Sequence, residues 1–183
     1  MLVSTFELLV KPIAPAGAGP ASLGRTVVQG YFLTIANTSA NEARLRLRFR
    51  ATTPNLDLAN TVVIQDIVGN NIFGELIPTQ NPQRFFNDVT IPANDTALIT
   101  LLPDVSSPPV VAGKNLEIRG FAEIIKRPTP NTDPLEDVPL NLLLTPEHRG
   151  TFFSGDPASP DPDIDQLAYA LPTATGRALY TLD

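Results

Sequence analysis

The stretch Ala43 to Ala51 alternates without a fault. Leu45, Leu47 and Phe49 fall on one side, and Arg44, Arg46, Arg48 and Arg50 fall on the other. A period of two puts apolar side chains on a buried face and polar ones opposite, so this segment is a strand that covers a core. Thr5–Ile13 reads as a first strand. Thr26–Ala36 is rich in Val, Tyr, Phe, Thr and Ile, which fit a pleated, half-buried surface, and its Tyr31, Leu33 and Ile35 share one face. The polar Asn37–Glu42 connection predicts an antiparallel hairpin between Thr26–Ala36 and the arginine strand.

The pattern continues downstream. Thr61–Val68 is apolar and β-branched, Gly69-Asn70-Asn71 is a turn signal, and Ile72–Ile77 returns as a strand. Phe85–Ile91 and Thr96–Leu102 flank Pro92-Ala93-Asn94-Asp95, which predicts a hairpin with Asn94 or Asp95 in the left-handed region. In Leu116–Ile125, Leu116, Ile118, Gly120, Ala122 and Ile124 take one face, and Glu117, Arg119, Phe121 and Glu123 the other. Pro15–Gly24, Pro54–Asn60, Thr79–Arg84 and Pro103–Lys114 read as loops, and Arg127–Pro139, with four prolines, as an excursion. Leu140–Leu144 is apolar, Thr145-Pro146-Glu147 resembles the opening of a helical turn, and Thr151–Phe153 is short and extended. Leu167–Leu171 fits either a strand or a helix stripe. A hairpin with Arg177–Leu182 is preferred, because Pro172–Gly176 turns between them.

Strands separated by turns, with no long helical pattern, indicate an all-β fold: an antiparallel β-sandwich of about 8–10 strands. The expected organisation is one domain over residues 1–183. Its core spans about 4–125, and a proline-rich C-terminal extension, 126–183, packs back on it. The order of strand, Asn-Thr-Ser turn, alternating strand and Ile-Pro-Ala-Asn-Asp-Thr hairpin resembles bacterial immunoglobulin-like modules in general style. These motifs are too short and permissive to name a family.

Composition narrows the chemistry. A chain of 183 residues with 43% hydrophobic content can bury a self-sufficient core. With no cysteine there are no disulfides, thiolate nucleophiles or iron–sulfur clusters, which agrees with the expected cytoplasmic location. A net charge of −6 argues against a general nucleic-acid binder. No apolar run reaches the ~20 residues of a membrane span, and the N-terminus lacks the basic flank of a signal peptide.

The candidate chemistry is sparse. Gly17, Gly19 and Gly24 faintly suggest a dinucleotide loop, but Pro20 interrupts it and no helix follows. Asp161, Asp163 and Asp165 alternate as in a calcium loop, yet Gln166 and Pro172 occupy the positions that need Gly and Glu, so the segment reads as a solvated acidic loop. His148 is the single histidine; it lies in an expected turn without triad partners and without a Gly-x-Ser-x-Gly elbow. The acidic residues could supply a hydrolytic carboxylate pair, but no spacing selects one. A sugar platform is disfavoured by the absence of Trp and by Tyr31 and Tyr169 sitting in apolar alternations, where they read as core. The Asn37 and Asn94 sequons read as turns.

The arginine stripe is the most specific feature. Three readings apply, in order of preference: a cross-strand ladder with carboxylates such as Glu117 and Glu123, an interface, and an anion-binding surface. Arg44, Arg46, Arg48 and Arg50 are therefore the interface or anion-binding candidates, with no catalytic, cofactor or metal residue assigned. The expected role is a non-enzymatic structural or protein-interaction module that self-associates, with a second copy or an acidic protein as partner and neither nucleic acid nor membrane. The alternatives are a module for an anionic sugar or similar ligand, and behind it a carboxylate hydrolase.

Overall fold

The computed structural model describes residues 1–15, 17–19, 24–53, 56–128 and 138–183. Parts of the Pro15–Gly24 and Pro54–Asn60 loops, and most of the Arg127–Pro139 excursion, lie outside these residues. Among the described residues twelve strands form one antiparallel, curled sheet: β1 (Leu2–Pro12), β2 (Thr26–Asn37), β3 (Ala43–Thr53), β4 (Thr61–Ile67), β5 (Asn70–Phe73), β6 (Ile77–Pro78), β7 (Arg84–Ile91), β8 (Thr96–Pro103), β9 (Leu116–Lys126), β10 (Leu140–Phe153), β11 (Ile164–Ala170) and β12 (Leu179–Leu182). The main path runs β5-β4-β8-β2-β1-β9-β3-β7-β6, and β10 joins β2, β11 and β12. No helix among the described residues is long and apolar enough to cross a membrane.

The face assignments of the alternating strands hold. Leu45, Leu47, Phe49, Tyr31, Leu33, Ile35, Ile118, Ala122 and Ile124 are all buried in one core. At its centre the Phe6, Tyr31 and Phe49 rings pack with centroids 5.9 to 6.5 Å apart, Phe49 edge-on to both others. Gly120 makes room for this cluster, since a Cβ there would lie 2.0 Å from the Arg50 carbonyl oxygen and 2.7 Å from Phe6 Cζ.

Strand pairing departs from the sequence reading. β2 and β3 do not pair: β3 lies between β7 and β9, and β2 between β10 and the pair β1 and β8. β7 and β8 do not pair either, so both connections cross between the two halves of the sheet. A polar turn signals a chain reversal but not which neighbour the returning strand selects. Asn94 does adopt the left-handed conformation, φ 54°. Buried Asn37 ties these crossings together, because its Nδ2 donates to the carbonyls of Asn41 (2.8 Å) and Pro92 (2.9 Å) and its Oδ1 accepts from the Ser39 amide (3.1 Å).

Ile72–Ile77 splits into β5 on β4 and β6 on β7. The expected loop before β9 contains a short helix, α1 (Pro108–Gly113), started by its prolines and stopped by Lys114 in the left-handed region. The largest correction concerns the C-terminal part. β10 is a 14-residue strand that pairs along β2 from Thr26 to Asn37, and no helical turn forms at Pro146. The Pro146 carbonyl accepts from the Leu171 amide, in the interval between β11 and β12. The backbone nitrogen of an antiparallel residue points to the same side as its carbonyl, so the missing N–H faces a place where no strand runs. β11 and β12 are both strands, yet each pairs with β10 and not with the other.

Two substitutions test the centre of this core in urea denaturation. Phe49→Ala should lose about 3–5 kcal/mol because the fully buried ring leaves a cavity. Gly120→Ala should lose about 1–3 kcal/mol although it adds only a methyl, because the nearest atom is backbone and cannot turn away.

Candidate functional site

The arginine face is built from strand register. On β3, Arg46 lies opposite Asp88 of β7, and Arg48 lies opposite Phe86 of β7 and Glu123 of β9. Both pairs become two-pronged ion pairs. Arg46 donates to Asp88 through Nε and Nη2, each at 2.6 Å, and Arg48 donates to Glu123 at 2.6 and 2.7 Å. These bonds, more than the bare charges, hold the Asp88 and Glu123 carboxyls below the usual carboxylate range, while partial burial opposes the shift. The Arg46 guanidinium also lies 4.7 Å over the Phe86 ring, and that of Arg50 lies 5.0 Å over Phe121. Arg44 lies opposite Thr90. Glu117, expected across the stripe, pairs instead with Lys11 and Arg119. Asp88, Phe86 and Phe121 complete the face; Phe121 was assigned to the outer side of its strand in sequence, but only the register places all three beside β3.

A second polar constellation lies where β1 departs from β2. His148 is buried in a strand, not in a turn, and its bonds are long-range. Its Nε2 accepts the Glu7 backbone N–H at 3.0 Å. An amide N–H can only donate, so Nε2 is unprotonated and the proton sits on Nδ1, which donates to the Tyr169 hydroxyl at 3.1 Å. Tyr169 donates in turn to Gln29 Oε1 at 3.1 Å, and Gln29 Nε2 donates to Glu7 Oε2 at 3.2 Å. Arg119 closes the network on Glu7 Oε1 at 2.6 Å. These residues come from β1, β2, β9, β10 and β11, so no local motif announces them. Burial lowers the His148 pKa against the opposing pull of the Glu7 charge. Tyr169 is 42% exposed, which corrects its reading as core, whereas Tyr31 is fully buried with its hydroxyl on Ser4 Oγ at 2.9 Å.

The acidic segment is spread out. Asp165 pairs with Arg25 and Asp156 lies 3.7 Å from Lys114. No group of three or more His, Asp or Glu side chains fit to hold a metal ion occurs among the described residues.

A histidine held neutral in the fold and free to charge when unfolded stabilises the protein above its unfolded pKa of about 6.5, and this contribution fades as pH falls below that value. The stability–pH curve should therefore show one loss beginning below about pH 6.5, which His148→Gln removes. A separate loss follows below about pH 4.5, as Asp88, Glu117 and Glu123 protonate and release their cations. Denaturation midpoints between pH 4 and 8 for both proteins check this. Comparison with family models, curated proteins and solved structures finds no match, so the chain's own geometry carries the functional argument.

Proposed function

We propose that the protein is a non-enzymatic structural module that associates with copies of itself through the free edges of its sheet. Read as two facing layers in a sandwich-type arrangement, one layer runs β11-β10-β2-β8-β4-β5. Among the described residues its outermost strands, β11 and β5, each pair on one side only. The observation that carries the proposal is β5, where Ile72 is 57% and Phe73 77% exposed on an unpaired edge. A monomer ordinarily guards such an edge with charge, proline or a covering loop. A shallow cleft of about 270 Å³ beside Phe73, lined by Leu58, Val63 and Leu76 among others, extends the apolar surface.

Strand direction supports a head-to-tail mode. Each step across this layer is antiparallel, so β11 and β5 run in opposite directions. A translated copy would bring its β5 antiparallel to β11, continuing the alternation. Val68, at the tip of the β4–β5 turn, adds a second sign. It has φ 56°, is β-branched and is exposed, a conformation costing roughly 1–2 kcal/mol in an L-residue. Asn would suit that turn better. The non-enzymatic reading draws support from His148, whose two ring nitrogens are both engaged within the fold.

Light scattering across a concentration series tests the proposal. Wild-type protein should form species larger than a monomer at tens of micromolar, and Ile72→Lys with Phe73→Lys should return it to monomer. Arg46→Gln with Arg48→Gln should lose about 1–2 kcal/mol of stability and leave association intact. Val68→Asn should raise the melting temperature while weakening association. A wild-type monomer at high micromolar concentration ends the proposal.

A further inference from the structure

We propose that Arg50 and Arg84 form a binding site for a doubly charged tetrahedral oxyanion, a sulfate or phosphate group. This goes beyond the assembly reading and does not depend on it. The two arginines are direct cross-strand partners of β3 and β7. Opposite residues have Cβ atoms about 5 Å apart, and like charges placed so destabilise a sheet. At two other positions on this face the register sets arginine beside carboxylate. Arg46 has Asp88 and Arg48 has Glu123. At Arg50 and Arg84 it sets arginine against arginine, and among the described residues neither has an ion-pair partner. Glu123 is committed to Arg48 through both carboxylate oxygens and feels Arg50 only through space.

Arg84 supplies an independent sign. Its Nε is shielded from solvent, and no acceptor for it occurs among the described residues. A shielded guanidinium N–H is among the groups that folded proteins most consistently pair, with an external ion where the chain offers nothing. Arg50 rests on the Phe121 ring of β9. The start of β7 is fixed by the Arg84 amide donating to the Asn81 carbonyl at 2.9 Å and by the Ala51 amide donating to the Gln83 carbonyl at 3.0 Å. Each guanidinium offers a fork of N–H donors, so two of them match the oxygens of a tetrahedral group, and two positive charges match a dianion. A carboxylate would neutralise one of them.

The experiment is titration calorimetry of the full chain with sodium sulfate and sodium phosphate, set against sodium chloride at equal ionic strength. Wild type should bind saturably at one site. Arg84→Gln and Arg50→Gln should each weaken binding by about 10–100-fold, the loss expected from removing one charge-assisted partner. Arg46→Gln, on the same face but outside the site, should bind as wild type does. In chloride alone, Arg84→Gln should melt at or above the wild-type temperature, because it removes a like-charge contact. Phenyl phosphate set against inorganic phosphate separates an ester on a larger ligand from the free ion. Absence of saturable heat overturns the proposal. So does an equal sulfate-induced rise in melting temperature in wild type and both site variants, which would reflect only the general exclusion of sulfate from protein surfaces.

Discussion

A strand has two edges, and β2 has three long partners. This constraint shapes the molecule. β10 takes one edge from Thr26 to Asn37. On the other edge β1 pairs with residues Thr26–Gln29 and β8 with Tyr31–Ala36. The handover falls at Gly30, where a Cβ would lie 2.1 Å from Leu102 Cδ2 and 3.1 Å from the Leu101 carbonyl oxygen. A glycine there lets β8 approach just as β1 leaves. β1 then has backbone groups on its freed edge, and they must find partners or face a desolvation penalty. Side chains and a C-terminal segment supply those partners. His148 takes the Glu7 amide, Gln29 reaches the Glu7 carbonyl at 3.4 Å, and the Ala174 amide donates to the Val3 carbonyl at 2.7 Å. The C-terminal residues are thus part of how the sheet closes on itself.

The charged face follows the same backbone logic. Arginine at every second position of β3 would be costly without counter-charges, and register delivers them from two different neighbours. β7 contributes Asp88 and β9 contributes Glu123. Aromatic rings take up guanidinium faces where no carboxylate is in place, as Phe121 does beneath Arg50. Where β7 presents Arg84 instead, register sets one cation directly against another. That makes it the place where an external anion has most to contribute.

Polar groups elsewhere are handled with comparable economy. Asn37 binds the chain crossings at one end of the sheet, and the network from His148 to Arg119 binds five strands at the departure of β1. Against this, β5 and the wholly exposed β11 stand out as edges left apolar and open. These are the edges on which the proposed self-association rests.

The sequence by itself determined which face of each alternating core strand is buried. Period-two alternation in β3 and β9, and the apolar face of β2, placed Phe49, Tyr31 and Ile118 in the core, because the side-chain direction of a strand is local geometry. It also determined that cations would line the outer face of β3, and that Asn94 or Asp95 would take the left-handed conformation, which Asn94 does. Which strand sits beside which was decided only in the tertiary structure. Hydrogen-bonding edges are chemically alike along any strand, so a turn reveals a reversal but not its destination: the two hairpins expected around Asn37–Glu42 and Pro92–Asp95 opened into crossings, and the two strands of the expected C-terminal hairpin both joined β10. The same limit hid the sites. Asp88 beside Arg46, Arg84 against Arg50, and His148 beneath Glu7 are residues distant in the chain, brought together by register and by the curl of the sheet. Pro146, which locally suggests a helix start, is accepted inside β10 because the side to which its missing N–H points carries no strand.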